Sequence, residues 1–192
     1  RGGVPMSSLD PTTWDPNPFY IQRMPEKGSS NYSYVGGTEF EPVDETQPIA
    51  TYDDEGNLVQ PGEAVSGTSC FITGNGYEDG NGGFDDVDGG QTTLFSPVFP
   101  LASFDEIIIS YWYWYTNNVG DNAGNDLWQV FVSNNGGLNW QELYVTSNST
   151  NEWKKQRFIL SGHIELTDDI QFKFIAEDLF YDGDAGSGGS LV

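Results

Sequence analysis

Apolar positions recur with a period of two, in short runs separated by breaks rich in glycine, asparagine and aspartate. The most hydrophobic run is 107–115, IIISYWYWY. Alternation sorts it into two faces, Ile107, Ile109, Tyr111, Tyr113 and Tyr115 against Ile108, Ser110, Trp112 and Trp114. Both faces carry large apolar groups, which predicts a strand in the middle of a sheet covered, at least partly, on both sides. A buried helix is the competing reading. β-Branched and aromatic side chains lose χ1 freedom in a helix, and they dominate this run, so the strand is preferred.

Further strands are predicted over 69–73, 91–99 (broken by Pro97), 126–133, 139–146, 153–160 and 169–177. In 126–133, Leu127, Gln129, Phe131 and Ser133 oppose Trp128, Val130 and Val132. In 169–177, Ile170, Phe172, Phe174 and Ala176 share one face. The sequence Asn134-Asn135-Gly136-Gly137 predicts a tight hairpin turn, because Asn and Gly both tolerate positive φ. Residues 49–53 and 57–60 read as a small hairpin joined by Asp54-Glu55-Gly56. No internal repeat is present.

Residues 1–67 are different. Eight of the ten prolines fall there and strand signals are weak, yet Trp14, Phe19, Tyr20, Tyr32, Tyr34 and Phe40 argue against pure disorder. The expected organisation is a proline-rich irregular extension, 1–67, packing on a β-sandwich of 68–192. Seven or eight antiparallel strands with long loops predict an all-β fold, a two-sheet antiparallel β-sandwich of the jelly-roll kind. The chain starts at Arg1 and ends at Val192 where a strand begins, which reads as a piece of a longer, processed polypeptide with its final strand missing or truncated. Such an open edge invites strand addition.

Composition sharpens this picture. The 192 residues suit one domain with an extension, and 24 glycines with 10 prolines fit short strands and tight turns. Twenty-nine acids against seven bases give a net charge of −22. That surface repels nucleic acid and anionic lipid, and it suits cation binding. Most of these acids have a simpler role as solvated surface charge. Lys154, Lys155, Arg157 and Lys173 place over half of the positive charge on two neighbouring predicted strands. No transmembrane run is seen.

The best candidate chemistry is a hard-cation site. Calcium takes six to eight oxygens from carboxylates, Asn side chains and carbonyls. Asp86 and Asp88 lie two apart before Gly89 and Gly90, while Asn118 and Asp126 bracket the loop after the aromatic run. Asp85 and Asp178 are further candidates, and the alternative for all of them is turn formation. An EF-hand is excluded, because Phe84 stands where that loop starting at Asp79 needs glycine.

Catalysis is weakly supported. His163 is the one histidine, so a multi-histidine zinc site cannot form, and Cys70 is the one cysteine and reads as a buried small hydrophobe. Asp105-Glu106 and Glu177-Asp178 could flank a glycosidic bond, but acids are too abundant for such pairs to mean much. Sugar stacking on exposed members of the set Trp112, Tyr113, Trp114 and Tyr115 competes with core packing of the same rings.

Several segments carry a resemblance: RGGVP at 1–5, DVDGGQTTLFSP at 86–97, ISYWYWYTN at 109–117, NDLWQVFVSNNGGLNW at 125–140 and IQFKFIAED at 170–178. Together the chain resembles a MAM-like or carbohydrate-binding-like jelly-roll accessory domain of large secreted bacterial proteins. Such domains often follow zinc carboxypeptidase-type or immune-inhibitor-A-type metallopeptidases. The resemblance is good over 70–192 and poor before it, apart from RGGVP. That family's usual closing strand, of the type VEAAIDDF, would begin where this chain stops. The resemblance implies a non-catalytic, extracellular or cell-surface, calcium-stabilised binding module for a glycan or an extracellular protein. Two alternatives stand beside it: a structural subunit of a surface appendage or adhesin assembled by strand addition, and a jelly-roll enzyme acting on glycans. The expected site residues are Asp86, Asp88, Asn118 and Asp126 for Ca2+, and Trp112 and Trp114 for ligand.

Overall fold

A computed structural model of the chain describes residues 20–24, 48–53, 55–72, 90–119 and 123–178. The strands are β1 (Tyr20–Met24), β2 (Thr51–Tyr52), β3 (Leu58–Gln60), β4 (Gly90–Phe95), β5 (Ile108–Tyr113), β6 (Trp128–Ser133), β7 (Gln141–Thr146), β8 (Lys154–Ile159) and β9 (Gln171–Asp178). One 3-10 turn, Leu160–Gly162, follows β8. A five-stranded antiparallel sheet has the order β1-β4-β9-β6-β7, while β5 pairs with β8 and β2 with β3. The all-β antiparallel sandwich is the observed fold, and the non-sequential neighbours β4, β9 and β6 supply the crossovers of a jelly roll.

The period-two pattern places the core between the layers. Register sets Trp128 opposite Ala176, Val130 opposite Phe174 and Val132 opposite Phe172, so one alternating set of β6 and one of β9 meet side by side. From the facing ladder, Tyr113 stacks on Trp128 at 5.8 Å and 7°, and Tyr111 meets Phe174 edge-on at 5.1 Å. A second cluster, Val132, Leu160, Ile170 and Phe172, takes up Ile107 and Ile109 at the other end. Burial of these rings and branched chains is the main stabilising term.

The turns follow local chemistry. After β6, the Ser133 hydroxyl oxygen accepts from the amides of Asn135 (3.2 Å) and Gly137 (2.9 Å), and Asn135 Oδ1 accepts from the Asn139 amide at 2.9 Å. Positive φ falls on Gly136 and Gly137, and the asparagine acts through its side chain instead. The β2–β3 hairpin forms as expected. The Asn57 side chain and the amides of Asn57 and Glu55 bond Asp53 and hold its carboxyl below the ordinary aspartate value.

Four expectations change. First, β5 is a strand, but among the described residues it pairs only with β8. Its outer face is covered in part: Trp114, just beyond it, is 8% exposed, whereas Ile108 and Trp112 are 45% and 47% exposed. Their cross-strand neighbours on that face include Lys155 and Arg157, and charged groups keep a face wet. Second, Lys173 is not beside the β8 cations, because β8 and β9 lie in opposite sheets. It sits over the rings of Phe131 (4.7 Å) and Trp140 (4.8 Å) on the far side of the five-stranded sheet. Third, 69–72 forms no strand. Fourth, β1 lies in the segment expected to be strand-poor. Its sequence YIQRM does not alternate, and pairing with β4 decides its conformation. The 73–89 loop, with Asp85, Asp86 and Asp88, and the terminal 179–192 segment lie outside the described residues.

Candidate functional site

The polar ends of β5 decide which edge of the strand is occupied. The Leu160 amide donates to the Ile107 carbonyl at 2.8 Å, and the Thr150 amide donates to the Tyr115 carbonyl at 2.7 Å. Odd-numbered residues of β5 therefore direct their peptide groups towards β8, and even-numbered ones direct theirs to the opposite edge. Among the described residues no strand pairs with that opposite edge.

A cavity of about 340 Å³ opens there. Its floor is the aromatic core: Tyr111, Tyr113, Trp128 and Phe174, with Leu94. Its outer wall is Trp112, Trp114 and Trp153 together with the end of β3 (Val59 and Gln60), Pro61 and residues 69–72. The end of β3 is anchored through the Val59 carbonyl. Val59 O accepts from Trp114 Nε1 at 2.8 Å and from the Thr116 hydroxyl at 2.6 Å, both buried. Farther along, Trp153 Nε1 donates to the Glu63 carbonyl at 3.1 Å and stands edge-on to Trp114 at 6.2 Å. Local sequence explains this arrangement. Pro61 and Gly62 end β3, so the chain leaves the hairpin as coil and lies across the tryptophans.

The lining is apolar with a few polar atoms. Tyr111 Oη and Trp128 Nε1 are both buried, and the Trp128 indole donates towards the Tyr111 hydroxyl. Burial in this ring-lined space pushes the Tyr111 and Tyr113 hydroxyls up from the ordinary tyrosine value, so both stay protonated. Tyr113 Oη is paired with Tyr144 Oη at 3.2 Å. Burial also pushes the Cys70 thiol up, making it a poor nucleophile. Among the described residues that line the cavity there is no Asp, Glu or His. An apolar enclosure of this size with a few polar groups fits a small amphipathic ligand.

The two tryptophans named from sequence have different surroundings. Trp112 is 47% exposed, lies on the cavity lip, and turns its other side to the outer face of the β5–β8 ladder. Trp114 is 8% exposed and held by its indole hydrogen bond, so only its ring lines the cavity. Sequence reasoning did not find Trp153, Cys70 or the end of β3 at Val59. Their contribution depends on contacts up to 90 residues apart in the chain, as between Trp153 and Glu63.

The cation candidates also separate. Asn118 is exposed and Asp126 is fully buried, at the two ends of one loop. That loop is pinned by Asn117, which is buried. Its Nδ2 donates to the carbonyls of Asp126 and Ser147, each at 2.9 Å, and its carbonyl accepts from the Gly124 amide at 2.6 Å. Asp86 and Asp88 lie outside the described residues. Among the described residues no three His, Cys, Asp or Glu side chains gather as a metal-binding group. Asp105 and Glu106 are exposed ahead of β5, and Glu177 is buried near the end of β9. His163 is exposed and stands edge-on to Phe158 at 5.8 Å. No helix among the described residues is long and apolar enough to cross a membrane.

No family model matches the chain, and no curated protein matches it. Among solved structures the chain is similar to TmCBM61, determined in complex with β-1,4-galactotriose. The two share 15% identity and a TM-score of 0.38, over 67% of this chain and 68% of that one.

Proposed function

We propose that this chain is a non-catalytic, extracellular glycan-binding module of a larger secreted or cell-surface protein. The cavity at the outer edge of β5 is its sugar site. One observation carries the reading: an enclosure walled by aromatic rings, with Trp112 half-exposed at its lip and the Tyr111 hydroxyl and Trp128 indole among its few polar groups. Sugars present C–H faces to aromatic rings and hydroxyls to such donors, so this mixture suits them.

The test is calorimetry against an oligosaccharide panel, with Trp112→Ala and Tyr111→Phe. Binding should weaken in both variants. Tyr111→Phe should cost at most about 1–3 kcal/mol of stability, because it keeps the ring and strands only the Trp128 indole. A panel with no binder, or affinities indifferent to both variants, would sink the proposal.

Calcium belongs to the same proposal as a structural ion at the loop of Asn118 and Asp126, with Asp86 and Asp88 as the remaining side-chain ligands. Its support is that Asn118 and Asp126 stand at the two ends of one loop, which Asn117 pins. Chelation should lower the melting temperature, and calcium should restore it.

A second reading, assembly by strand addition, is favoured by the outer edge of β5, which pairs with no strand among the described residues. Sedimentation that finds strict monomers at all concentrations would count against it.

A further inference from the structure

Alternation puts Ile108, Ser110 and Trp112 of β5 on the outer face of the β5–β8 ladder. Opposite them in register stand Ile159, Arg157 and Lys155. Ile108, Trp112 and Ile159 are between 45% and 47% exposed, so this face is open. Lys155 Nζ lies 5.9 Å from the Trp112 ring centroid, and Arg157 is one step along the ladder. Acids outnumber bases 29 to 7 in this chain, yet neither strand contributes an acid to the face. Lys154, which points to the other side, has an ion pair with Glu152 at 3.9 Å. Among the described residues Lys155 and Arg157 have none. Charged side chains, lysine above all, protect sheet edges, which accounts for a cation on β8. Edge protection does not account for the placing of Lys155 over the exposed ring of Trp112, with Arg157 beside it.

We infer that the outer face of β5–β8 is an extension of the sugar site that selects acidic glycans, those bearing carboxylate or sulfate groups. This rests on the glycan-binding reading above, and Trp112 is the shared residue, cavity lip on one side and platform on the other. A sugar ring stacks on Trp112, and an acidic group on the next residue of the polymer meets Arg157, whose planar fork suits carboxylate and sulfate. Lys155 supplies a point charge against the same ring. At a net charge of −22 the chain as a whole disfavours polyanions, so a cationic face such as this one favours their approach here.

The experiment compares a polyuronate, a sulfated galactan, a neutral galactan and polyglutamate by calorimetry at two salt concentrations. It uses the full chain and the Lys155→Gln/Arg157→Gln double variant, and far-ultraviolet dichroism confirms folding. Expected is acidic-glycan binding about tenfold tighter than neutral, reduced about tenfold by the double variant, with neutral binding unchanged. The preference should also shrink with salt. Equal affinity for neutral and acidic polymers, both lost in Trp112→Ala, would overturn the acidic selection and leave the sugar site standing. Failure of every glycan would overturn both. Polyglutamate binding as tightly as polyuronate, or acidic binding indifferent to the double variant, would overturn the inference on its own.

Discussion

Asn117 offers the sharpest test of how the candidate cation loop is held. It is 2% exposed, and its side-chain amide bridges two chain segments through the carbonyls of Asp126 and Ser147 at 2.9 Å each. Asn117→Ala removes both bonds. The Ser147 carbonyl is only part-buried and can turn to water, so its loss costs about 1 kcal/mol. Asp126 is fully buried, and stranding its carbonyl costs about 1–3 kcal/mol. The sum, about 2–4 kcal/mol, corresponds to a fall in melting temperature of roughly 5–15 °C for a chain of this size. Urea unfolding followed by tryptophan fluorescence measures it. The control is Asn118→Ala, one residue on and exposed, which should cost under about 0.5 kcal/mol in chelator. If Asn117→Ala were as mild as its neighbour, the loop would be held by something other than this amide. If the calcium proposal holds, both variants lose calcium-dependent stabilisation, and only Asn117→Ala also loses stability without the ion.

Leu160 is fully buried among Val132, Ile170 and Phe172, so Leu160→Ala should destabilise by about 2–5 kcal/mol in the same urea assay. Gly136 and Gly137 both have positive φ, but a Cβ on Gly137 would meet Gln171 Oε1 at 3.0 Å and Trp140 Cζ2 at 3.1 Å. Gln171 cannot yield freely, because its amide donates to the buried Ser96 carbonyl at 3.0 Å. Gly136→Ala should therefore cost about 1–2 kcal/mol, and Gly137→Ala measurably more. The Cys70 thiol, pushed up by burial, should alkylate with a pH midpoint above that of the urea-unfolded chain. Because folding favours the neutral thiol, its contribution to stability is complete below the unfolded value and is lost as pH rises through the folded one. A saturating sugar in the cavity should slow that alkylation, since Cys70 is part of its wall.

What the sequence determined by itself is the strands from β4 onwards and the sorting of each into two faces. Trp128, Val130 and Val132 against Phe172, Phe174 and Ala176 follow from period two alone, because a one-residue slip would turn every one of them to solvent. The Asn-Gly turn was equally legible, since its chemistry is local. The sequence also marked Trp112 as a ring that could meet a ligand, and it marked the cation-rich segment of β8, without showing that the two lie side by side.

Tertiary structure alone decided which strands are neighbours. It set β8 beside β5, so that Lys155 and Arg157 flank Trp112, and it sent Lys173 to the opposite layer. It left the outer face of β5 open, buried Trp114 and exposed Trp112, although the two are equivalent by alternation. The reason is physical. Alternation specifies the direction of a side chain relative to its own strand, whereas cover, pairing and cavity depend on segments far away in the chain. The Val59 carbonyl reaches Trp114 across 55 residues, and nothing in the local pattern of either segment encodes that bond.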